Sequence, residues 1–292
     1  MNTKWILGGW VLLISISSCT EGSWHTAKSG LRYRIVSSHP GDSLVRKGET
    51  VKLEVTQMVG DSVMQNSRGK LPLYFTVYPG TQHYNPLEVF DYGIHRGDSI
   101  ITEQLVDSMV EKKLYTDIPK WVKPTDKWRS YIRVVDVFNN QADVNKDKEW
   151  EATKLVSVQI GLGRARIQRW LDSHHKNARR IADEFMVTIR EGKGLQADSG
   201  RKVTLNFEVR TLENGILINS TTDTAFHQGG PRTFTIGSGT LPPVLEKEIE
   251  LMKQGEKSDI YLPAVALFGL DLPKQVALSD DIVFTIDLLK VN

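Results

Sequence analysis

The segment Gly200-Arg-Lys-Val-Thr-Leu-Asn-Phe207 decides the fold of the C-terminal part of this chain. From Val203 to Phe207 apolar and polar residues alternate, which is typical of a β-strand with one buried face. Asn214-Gly215 follows as a hairpin turn signal. Further along, the patterns predict two strands, Phe234–Ile236 and Ile282–Leu289, and between them a short helix, Val244–Met252. Strands that accompany one short helix indicate an α+β fold for this region.

The same order of motifs occurs in the first half of the chain. Four groups of residues in the first half match four groups in the second half. Gly48, Val51, Leu53 and Val55 match Gly200, Val203, Leu205 and Phe207, and Asn66-Ser67 matches Asn219-Ser220. Phe75–Val77 matches Phe234–Ile236, and Leu87, Glu88 and Gly97 match Leu245, Glu246 and Gly255. Order and spacing hold at a separation of about 150–160 residues. The sequence therefore predicts two copies of one α+β unit, although strand patterns can also resemble each other by chance.

A helical segment separates the two predicted copies. Apolar residues between about Lys148 and His174 recur at helical spacing, with Arg and Glu between them. We expect either one long helix or two shorter helices with a joint at Gly161-Leu-Gly163. Because this Gly-x-Gly follows no strand, we interpret it as a helix joint and not as a phosphate-binding loop.

The N-terminus has the pattern of an export signal. Lys4 precedes an uncharged apolar run from Trp5 to Ile16, which is shorter than the roughly 20 residues that span a bilayer. The run ends in Ile16-Ser-Ser-Cys19, which resembles the lipobox of bacterial lipoproteins. The resemblance implies that Cys19, the only cysteine, is lipidated; the alternative is an ordinary cleaved signal peptide with an incidental cysteine. We expect a lipid-anchored protein of the cell envelope, at the outer membrane and facing the periplasm or the surface.

Charge and composition exclude several functional classes. The 37 basic and 35 acidic residues give a net charge of +2, so the chain has no excess of positive charge for gripping a nucleic acid. The histidine pair His174-His175 has no cysteine or carboxylate cluster around it in the sequence. We therefore expect no metal site, no cofactor and no nucleic-acid partner.

The C-terminal unit, about Glu184 to Asn292, contains a series of short motifs in a fixed order: Gly192-Lys-Gly194, the strand Gly200–Phe207, Leu212-Glu-Asn-Gly215, Phe234-Thr-Ile-Gly237, Met252-Lys-Gln-Gly255, Leu262-Pro263, Phe268-Gly269 and Val283-Phe-Thr-Ile-Asp-Leu-Leu289. This series resembles that of an FKBP-type prolyl isomerase domain. The resemblance implies an antiparallel sheet curled around one short helix. Together with the repeat, it predicts a signal peptide over residues 1–18, a tether over 19–29, a diverged FKBP-like domain over 30–140, a helical linker over 141–182 and an FKBP-like isomerase domain over 183–292.

The resemblance also implies an apolar isomerase pocket. The family's pocket positions fall on Phe207, Asn219, Leu241, Pro242, Leu245, Phe268 and Phe284. Several of these positions are polar in the family and differ here. Phe207 replaces the family's tyrosine on the early strand, Asn219 replaces its aspartate, and Phe268 replaces the tyrosine whose hydroxyl donates a hydrogen bond. The alternative is that the phenylalanines are simply core residues of a β-rich domain.

Two further departures concern the backbone of the implied pocket. The residue pair that supplies a backbone N–H in the family falls on Leu241-Pro242, and proline has no N–H to donate. The loop from Gly269 to Asp280 is also short for the flap that overhangs the family's site. Leu245 replaces the tryptophan that forms the floor of the family's pocket. From these departures together we expect an apolar pocket that has few hydrogen-bond donors.

The first copy diverges further from the family. Val55 stands at its early-strand position, its floor falls near Leu87, and Leu105–Asp126 is an insertion that contains Tyr115 and Trp121. We expect no isomerase site in this copy, and either a packed loop or a contact surface in the insertion.

Two functions remain open from the sequence. The first is a membrane-anchored FKBP-type peptidyl-prolyl cis-trans isomerase and foldase, of weak activity, that acts on exported proline-containing polypeptides. The second is a non-catalytic FKBP-like chaperone or structural subunit of an envelope protein-assembly machine, with envelope proteins as partners. The lost polar groups favour the second, and the usual activity of the family favours the first.

Overall fold

The computed structural model describes residues 22–114, 118–181, 184–226 and 229–292. The chain divides into two compact units, an N-terminal unit that ends at Lys146 and a C-terminal unit that begins at Asp147. The predicted signal peptide with Cys19, and Tyr115 of the predicted insertion, lie outside the described residues. Within the described ranges, no helix has the length and apolar character that crossing a bilayer requires.

The N-terminal unit is one antiparallel sheet with two short helical segments. Its elements are β1 (His25–Thr26), β2 (Arg32–Ser37), β3 (Thr50–Val59), β4 (Ser62–Asn66), β5 (Leu73–Thr76), a 3-10 helix (Pro86–Tyr92), β6 (Ser99–Leu105), α1 (Val106–Glu111) and β7 (Lys127–Phe138). The strands lie in the order β1-β2-β6-β7-β3-β4, and β5 also pairs with β3. Alternation along β3 buries Val51, Leu53 and Val55 in one core with Val89 of the 3-10 helix.

A long helix, α2 (Gln141–Ser173), follows β7. Of the two alternatives that the sequence left open, the single long helix is correct, because the helix continues through both glycines without interruption. The interpretation of Gly161-Leu-Gly163 as a helix joint is wrong. Glycine lowers helix propensity without abolishing a helix whose other residues pack well, so the pattern at this point could not decide between a joint and a continuous helix.

The C-terminal unit is a second antiparallel sheet. Its elements after α2 are β8 (Arg179–Ile181), β9 (Glu184–Arg190), β10 (Lys202–Thr211), β11 (Leu217–Ser220), β12 (Arg232–Thr235), α3 (Pro243–Glu250), β13 (Lys257–Pro263), α4 (Ala264–Phe268) and β14 (Asp281–Val291). The predicted short helix and final strand are confirmed as α3 and β14, with their ends shifted by one or two residues. Leu245 and Ile249 of α3 share one core with Leu205 and Ile286 of the sheet, so the sheet curls around this helix.

The two units share one architecture. The C-terminal strands lie in the order β8-β9-β13-β14-β10-β11, with β12 paired to β10, which is the N-terminal order strand for strand. Even an irregularity recurs, since the register of β3 with β7 shifts between Lys52 and Leu53, and that of β10 with β14 shifts between Thr204 and Leu205. A shared strand order and a shared bulge agree with the repeat in the sequence.

Matching hydrogen bonds fix the residue correspondence and correct one prediction. The Ser67 N–H donates to the Val55 carbonyl at 2.9 Å, and the Thr221 N–H donates to the Phe207 carbonyl at 3.0 Å. The hydroxyl groups of Ser67 and Thr221 accept the return bonds from the same partners, at 2.8 and 2.9 Å. Ser67 therefore corresponds to Thr221, and the predicted match with Ser220 is wrong by one residue. The turn after β10 is longer than the turn after β3, which displaces the two asparagines relative to each other.

The C-terminal half of α2 packs tightly against the C-terminal unit. Gly163 is buried at the crossing, and a Cβ atom there would lie 2.6 Å from the Pro263 Cγ and 2.7 Å from the Asp281 Oδ1. Arg166, one turn further, donates from Nε and Nη2 to the two carboxylate oxygens of Asp281 at 2.8 and 2.9 Å. Burial raises the pKa of Asp281, and the paired Arg166 guanidinium opposes the rise. The missing side chain at Gly163 is therefore what allows this ion pair to form.

Candidate functional site

An apolar cleft lies between α3 and the concave face of the C-terminal sheet. Its volume is about 380 Å³. The cleft is lined by Leu205, Phe207, Val209, Ile218, Asn219, Phe234, Thr240, Leu241, Pro242, Leu245, Ile249, Leu267, Phe268, Pro273 and Phe284. None of these lining residues carries a charge, so the cleft suits an apolar or neutral group.

The cleft brings together all seven residues that the sequence places in a pocket. They come from six places in the fold: Phe207 on β10, Asn219 on β11, Leu241 and Pro242 in the segment before α3, Leu245 on α3, Phe268 at the end of α4, and Phe284 on β14. Residues so distant in the chain meet only because the sheet curls around α3. The cleft is therefore a consequence of the fold and not of one local motif.

Aromatic rings form much of the cleft wall. Phe207 and Phe284 lie on neighbouring strands and stack, with their ring centroids 5.3 Å apart and their planes at 29°. Phe284 is 8% exposed, whereas Phe207 and Phe268 are only half-buried. Rings that are half-buried in a concave surface offer a face to a bound apolar group, in addition to their part in the core.

Sequence reasoning missed several lining residues, of which Phe234 and Pro273 are informative. Phe234 is predicted only as a strand residue, and its pairing with Val203 on β10 is what turns it towards the cleft. Pro273 comes from the loop between Gly269 and Asp280, which reaches the cleft although it is short. The loop residues Leu270, Leu272 and Pro273 are apolar, which is a signal that could have indicated this contact.

Few hydrogen-bonding groups line the cleft. The Asn219 Oδ1 accepts a hydrogen bond from the Ser220 N–H at 2.8 Å, and the Thr240 hydroxyl shares one with the Ser238 hydroxyl at 2.8 Å. Pro242 has no N–H, and its carbonyl accepts from the first turn of α3. Within the described chain, the Asn219 amide nitrogen and the Leu241 N–H donate to no other group. These two groups are therefore free to donate to a ligand in the cleft.

An unpaired carboxyl lies on the other side of the helix that forms the cleft floor. Leu245 and Ile249 of α3 line the cleft, whereas Glu248 is fully buried and neither of its carboxyl oxygens has a hydrogen-bond partner among the described residues. Burial raises the pKa of Glu248 to about 7; the nearby carboxylate of Glu184 adds to the rise, and Arg179 opposes it. Because an unpaired buried charge is costly, the floor helix is most stable with this carboxyl protonated.

The N-terminal unit has a cleft at the equivalent position, with a volume of about 340 Å³. It is lined by Leu53, Val55, Gln57, Gln65, Leu73, Tyr74, Phe75, Tyr84, Asn85, Pro86, Leu87, Gln104, Leu114 and Ile132. Strand register places Val55 and Ser130 where the C-terminal unit has Phe207 and Phe284. The stacked aromatic pair therefore has no counterpart in the N-terminal unit.

The backbone donor is also lost in the N-terminal unit, by a different route. Counting back from the matched Leu87 and Leu245, Tyr84 stands where the C-terminal unit has Pro242. The Tyr84 N–H donates to the Glu88 Oε2 at 3.0 Å and is therefore occupied. One unit lacks this donor because of proline, and the other holds it in a local hydrogen bond.

The region that contains the C-terminal cleft is similar in sequence to known proteins. Residues 194–289 match the family model for FKBP-type peptidyl-prolyl cis-trans isomerases. The chain is 32% identical over 102 residues to the peptidyl-prolyl cis-trans isomerase Mip of Coxiella burnetii, which covers 34% of this chain and 44% of that protein. It is also 32% identical over 96 residues to a probable FKBP-type 16 kDa isomerase of Pseudomonas fluorescens, covering 33% of this chain and 56% of that protein. The chain thus spans about half the length of these relatives.

The chain also has some similarity to proteins of known structure. The three FKBP domains of wheat FKBP73 align over 91% of this chain and 96% of their own, at 13% identity and a TM-score of 0.35. FkpA of Escherichia coli aligns over 52% of this chain and 69% of its own, at 14% identity and a TM-score of 0.38. Over residues 194–289, the sequence is thus similar to the family of FKBP-type peptidyl-prolyl cis-trans isomerases.

Proposed function

We propose that the C-terminal unit is a weakly active FKBP-type peptidyl-prolyl cis-trans isomerase whose apolar cleft binds the prolyl bond of a polypeptide. One observation carries the proposal: the seven residues at the family's pocket positions line a single apolar cleft. The cleft lies within the region that matches the family model. Its aromatic wall and its size suit a prolyl ring with one neighbouring side chain.

The cleft can act on the bond without an acid, a base or a nucleophile. Rotation about an X-Pro bond has a barrier of roughly 18–20 kcal/mol, because the planar amide loses its resonance when it twists. The planar amide is also the more charge-separated form, and water stabilises that charge separation. An apolar cleft that removes water therefore favours the twisted transition state over the planar ground state.

We expect this activity to be weak because aimed donors are few. Phe268 offers no hydroxyl and Pro242 offers no N–H to the substrate carbonyl. A neutral hydrogen bond contributes roughly 0.5–1.5 kcal/mol, and about 1.4 kcal/mol corresponds to a factor of ten in rate. Losing two such bonds lowers the rate by about one to two orders of magnitude relative to a site that keeps them. The Asn219 amide and the Leu241 N–H are the groups left to hold the carbonyl.

We further propose that the protein acts at the cell envelope on exported polypeptides, held to a membrane by acyl chains on Cys19. The support is the position of the only cysteine, directly after an apolar run of signal-peptide length. Acyl chains bury enough apolar area to keep a folded protein at a membrane surface. A tethered isomerase would meet chains as they emerge from the membrane, before their prolyl bonds are locked by folding.

A second candidate function is a non-catalytic chaperone or a structural subunit of an envelope assembly machine. The observation that favours it is the loss of the same backbone donor in both clefts, since its position is Pro242 in one unit and the occupied Tyr84 N–H in the other. Such clefts can hold a polypeptide without accelerating its isomerisation.

One assay separates the two functions. The full chain at micromolar concentration is added to a tetrapeptide with a single X-Pro bond, and the cis-to-trans relaxation is followed. We expect a measurable acceleration that rises about tenfold in the double variant Asn219→Asp, Phe268→Tyr, since each change restores a polar group of the family. Asn145→Asp, which makes the same charge change on the exposed surface of α2, is the matched control and should leave the rate unchanged. No acceleration by the native chain or by the double variant would exclude catalysis and favour the second function.

A further inference from the structure

The cleft of the N-terminal unit differs from the C-terminal cleft in one systematic way. Where the C-terminal unit has Val209 and Leu262, strand register places Gln57 and Gln104. Gln65 stands at the position of Asn219. Two glutamines therefore replace apolar residues and a third replaces an asparagine, while the cleft keeps its place in the fold and a similar volume.

The amide groups of this cleft retain free hydrogen-bonding capacity. Gln104 is only 2% exposed; its Nε2 donates to the Tyr84 carbonyl, and its Oε1 accepts from no described residue. The Gln57 Nε2 lies 3.3 Å from the Ser130 hydroxyl, and its Oε1 is likewise without a donor in the described chain. The Gln65 side chain is exposed and makes no hydrogen bond to the described residues. Water can bond these amides in the free chain, so a ligand that displaces this water must supply both donors and acceptors.

The other lining residues of the cleft restrict which kinds of ligand can bind there. None of the lining residues is charged, so the cleft has no group that would select an anion or a cation. Leu53, Val55 and Leu87 give it aliphatic walls, and the half-exposed Leu73 and Leu114 continue the apolar surface at its rim. A neutral ligand that alternates amide groups with apolar side chains matches this lining, because an amide group donates and accepts as the glutamines do.

We propose that the N-terminal cleft binds an extended, uncharged polypeptide segment, whose main-chain amides pair with Gln57, Gln65 and Gln104 and whose apolar side chains lie on the aliphatic walls. The segment needs no proline, since Val55 and Ser130 stand where the C-terminal unit has its stacked phenylalanines. The chain then carries two polypeptide sites of different chemistry, one for a prolyl bond and one for general main chain. This site does not depend on isomerase activity in the other unit.

The test is a titration of the full, isotope-labelled chain with an acetylated and amidated hexapeptide of alanine, leucine and glutamine. We expect the side-chain amide NMR signals of Gln57, Gln65 and Gln104 to shift on binding. The double variant Gln57→Leu, Gln65→Leu should weaken the peptide at least about tenfold, which corresponds to about 1.4 kcal/mol. The matched control is Gln275→Leu, the same change at an exposed loop residue of the other unit, and it should leave the affinity unchanged.

Several outcomes would overturn the proposal, and they remain distinct from failure of the isomerase. Equal affinity for the native chain and the double variant would mean that the amides do not bind the peptide. Shifts caused by a neutral oligosaccharide and not by the peptide would assign the cleft to a carbohydrate. Should the double variant fold poorly, Gln65→Leu alone alters an exposed side chain and should still weaken binding. Absence of prolyl isomerisation in the tetrapeptide assay leaves each of these results unaffected.

Discussion

Two glycines of α2, two residues apart, should respond in opposite ways to the same substitution. Gly161 is exposed, and a Cβ atom there meets nothing within 4 Å. Gly163 is buried, and a Cβ atom there would lie 2.6 Å from Pro263 and 2.7 Å from Asp281. Because carbon atoms do not approach each other this closely, Gly163→Ala must displace either the helix or the strand ends beneath it.

The expected magnitudes follow from these contacts. In a helix interior alanine is favoured over glycine by about 1 kcal/mol, and Gly161→Ala should gain most of this. Gly163→Ala gains the same propensity but overpacks a tight crossing, which costs typically about 1–3 kcal/mol. It also pushes the Asp281 carboxylate away from Arg166, whose two hydrogen bonds at 2.8 and 2.9 Å are then lengthened. We expect a net loss of about 1–2 kcal/mol for Gly163→Ala.

Urea and thermal unfolding of the full chain measure both effects. Because the chain has two units, the transitions must be assigned separately, and both substitutions should move only the transition of the C-terminal unit. A change of 1 kcal/mol shifts the midpoint by roughly 4 °C in a unit of this size. If Gly163→Ala stabilises the unit as much as Gly161→Ala does, α2 does not cross the sheet as closely as described and the reasoning is refuted.

Three further changes test other features of the chain. Below pH 4.5 Glu248 is protonated in both the folded and the unfolded state, but between about pH 4.5 and 7 only the unfolded chain ionises, so the stability of the C-terminal unit should fall as the pH rises through this window. Glu248→Gln should remove this pH dependence and stabilise the unit by about 3 kcal/mol at pH 8. Urea unfolding at a series of pH values measures both effects. Pro242→Ile restores a backbone N–H at a position whose φ of −54° an isoleucine can adopt, and it should raise the isomerisation rate by up to about tenfold; an unchanged rate would mean that this N–H does not reach the substrate. Cys19→Ser should abolish incorporation of a labelled fatty acid when the chain is expressed in bacteria and should release the protein from the membrane fraction; retained label would contradict the anchor.

Local patterns in the sequence were sufficient to predict the strands and the short helix. Alternation at Val203–Phe207 and in the final strand reflects one buried face, which is a property of the strand itself. The cleft residues were predicted by resemblance, and the fold brings Phe207, Asn219 and Phe284 together as the family's pattern implies.

The predictions were wrong where contacts between residues distant in the sequence determine the structure. The sequence around Gly163 is compatible with a joint, and only the crossing of α2 over Pro263 explains why the helix needs a glycine there. The one-residue error at Ser67 arose because a longer turn after β10 shifts the asparagines, while the hydrogen bonds to β3 and β10 stay fixed. Pro273 was overlooked because loop length says little about where a loop's side chains lie.

The shared strand order also has a consequence for how the chain folds. Two strands have the length and bulge position to pair with β10, namely its own β14 and the β7 of the other unit. A mispaired sheet of this kind is a characteristic failure of chains that contain similar domains. Side chains on the partner strands oppose it, since Phe284 fills a space that Ser130 would leave empty. We therefore expect that making the two sequences more alike would increase misfolding, even where each unit alone becomes more stable.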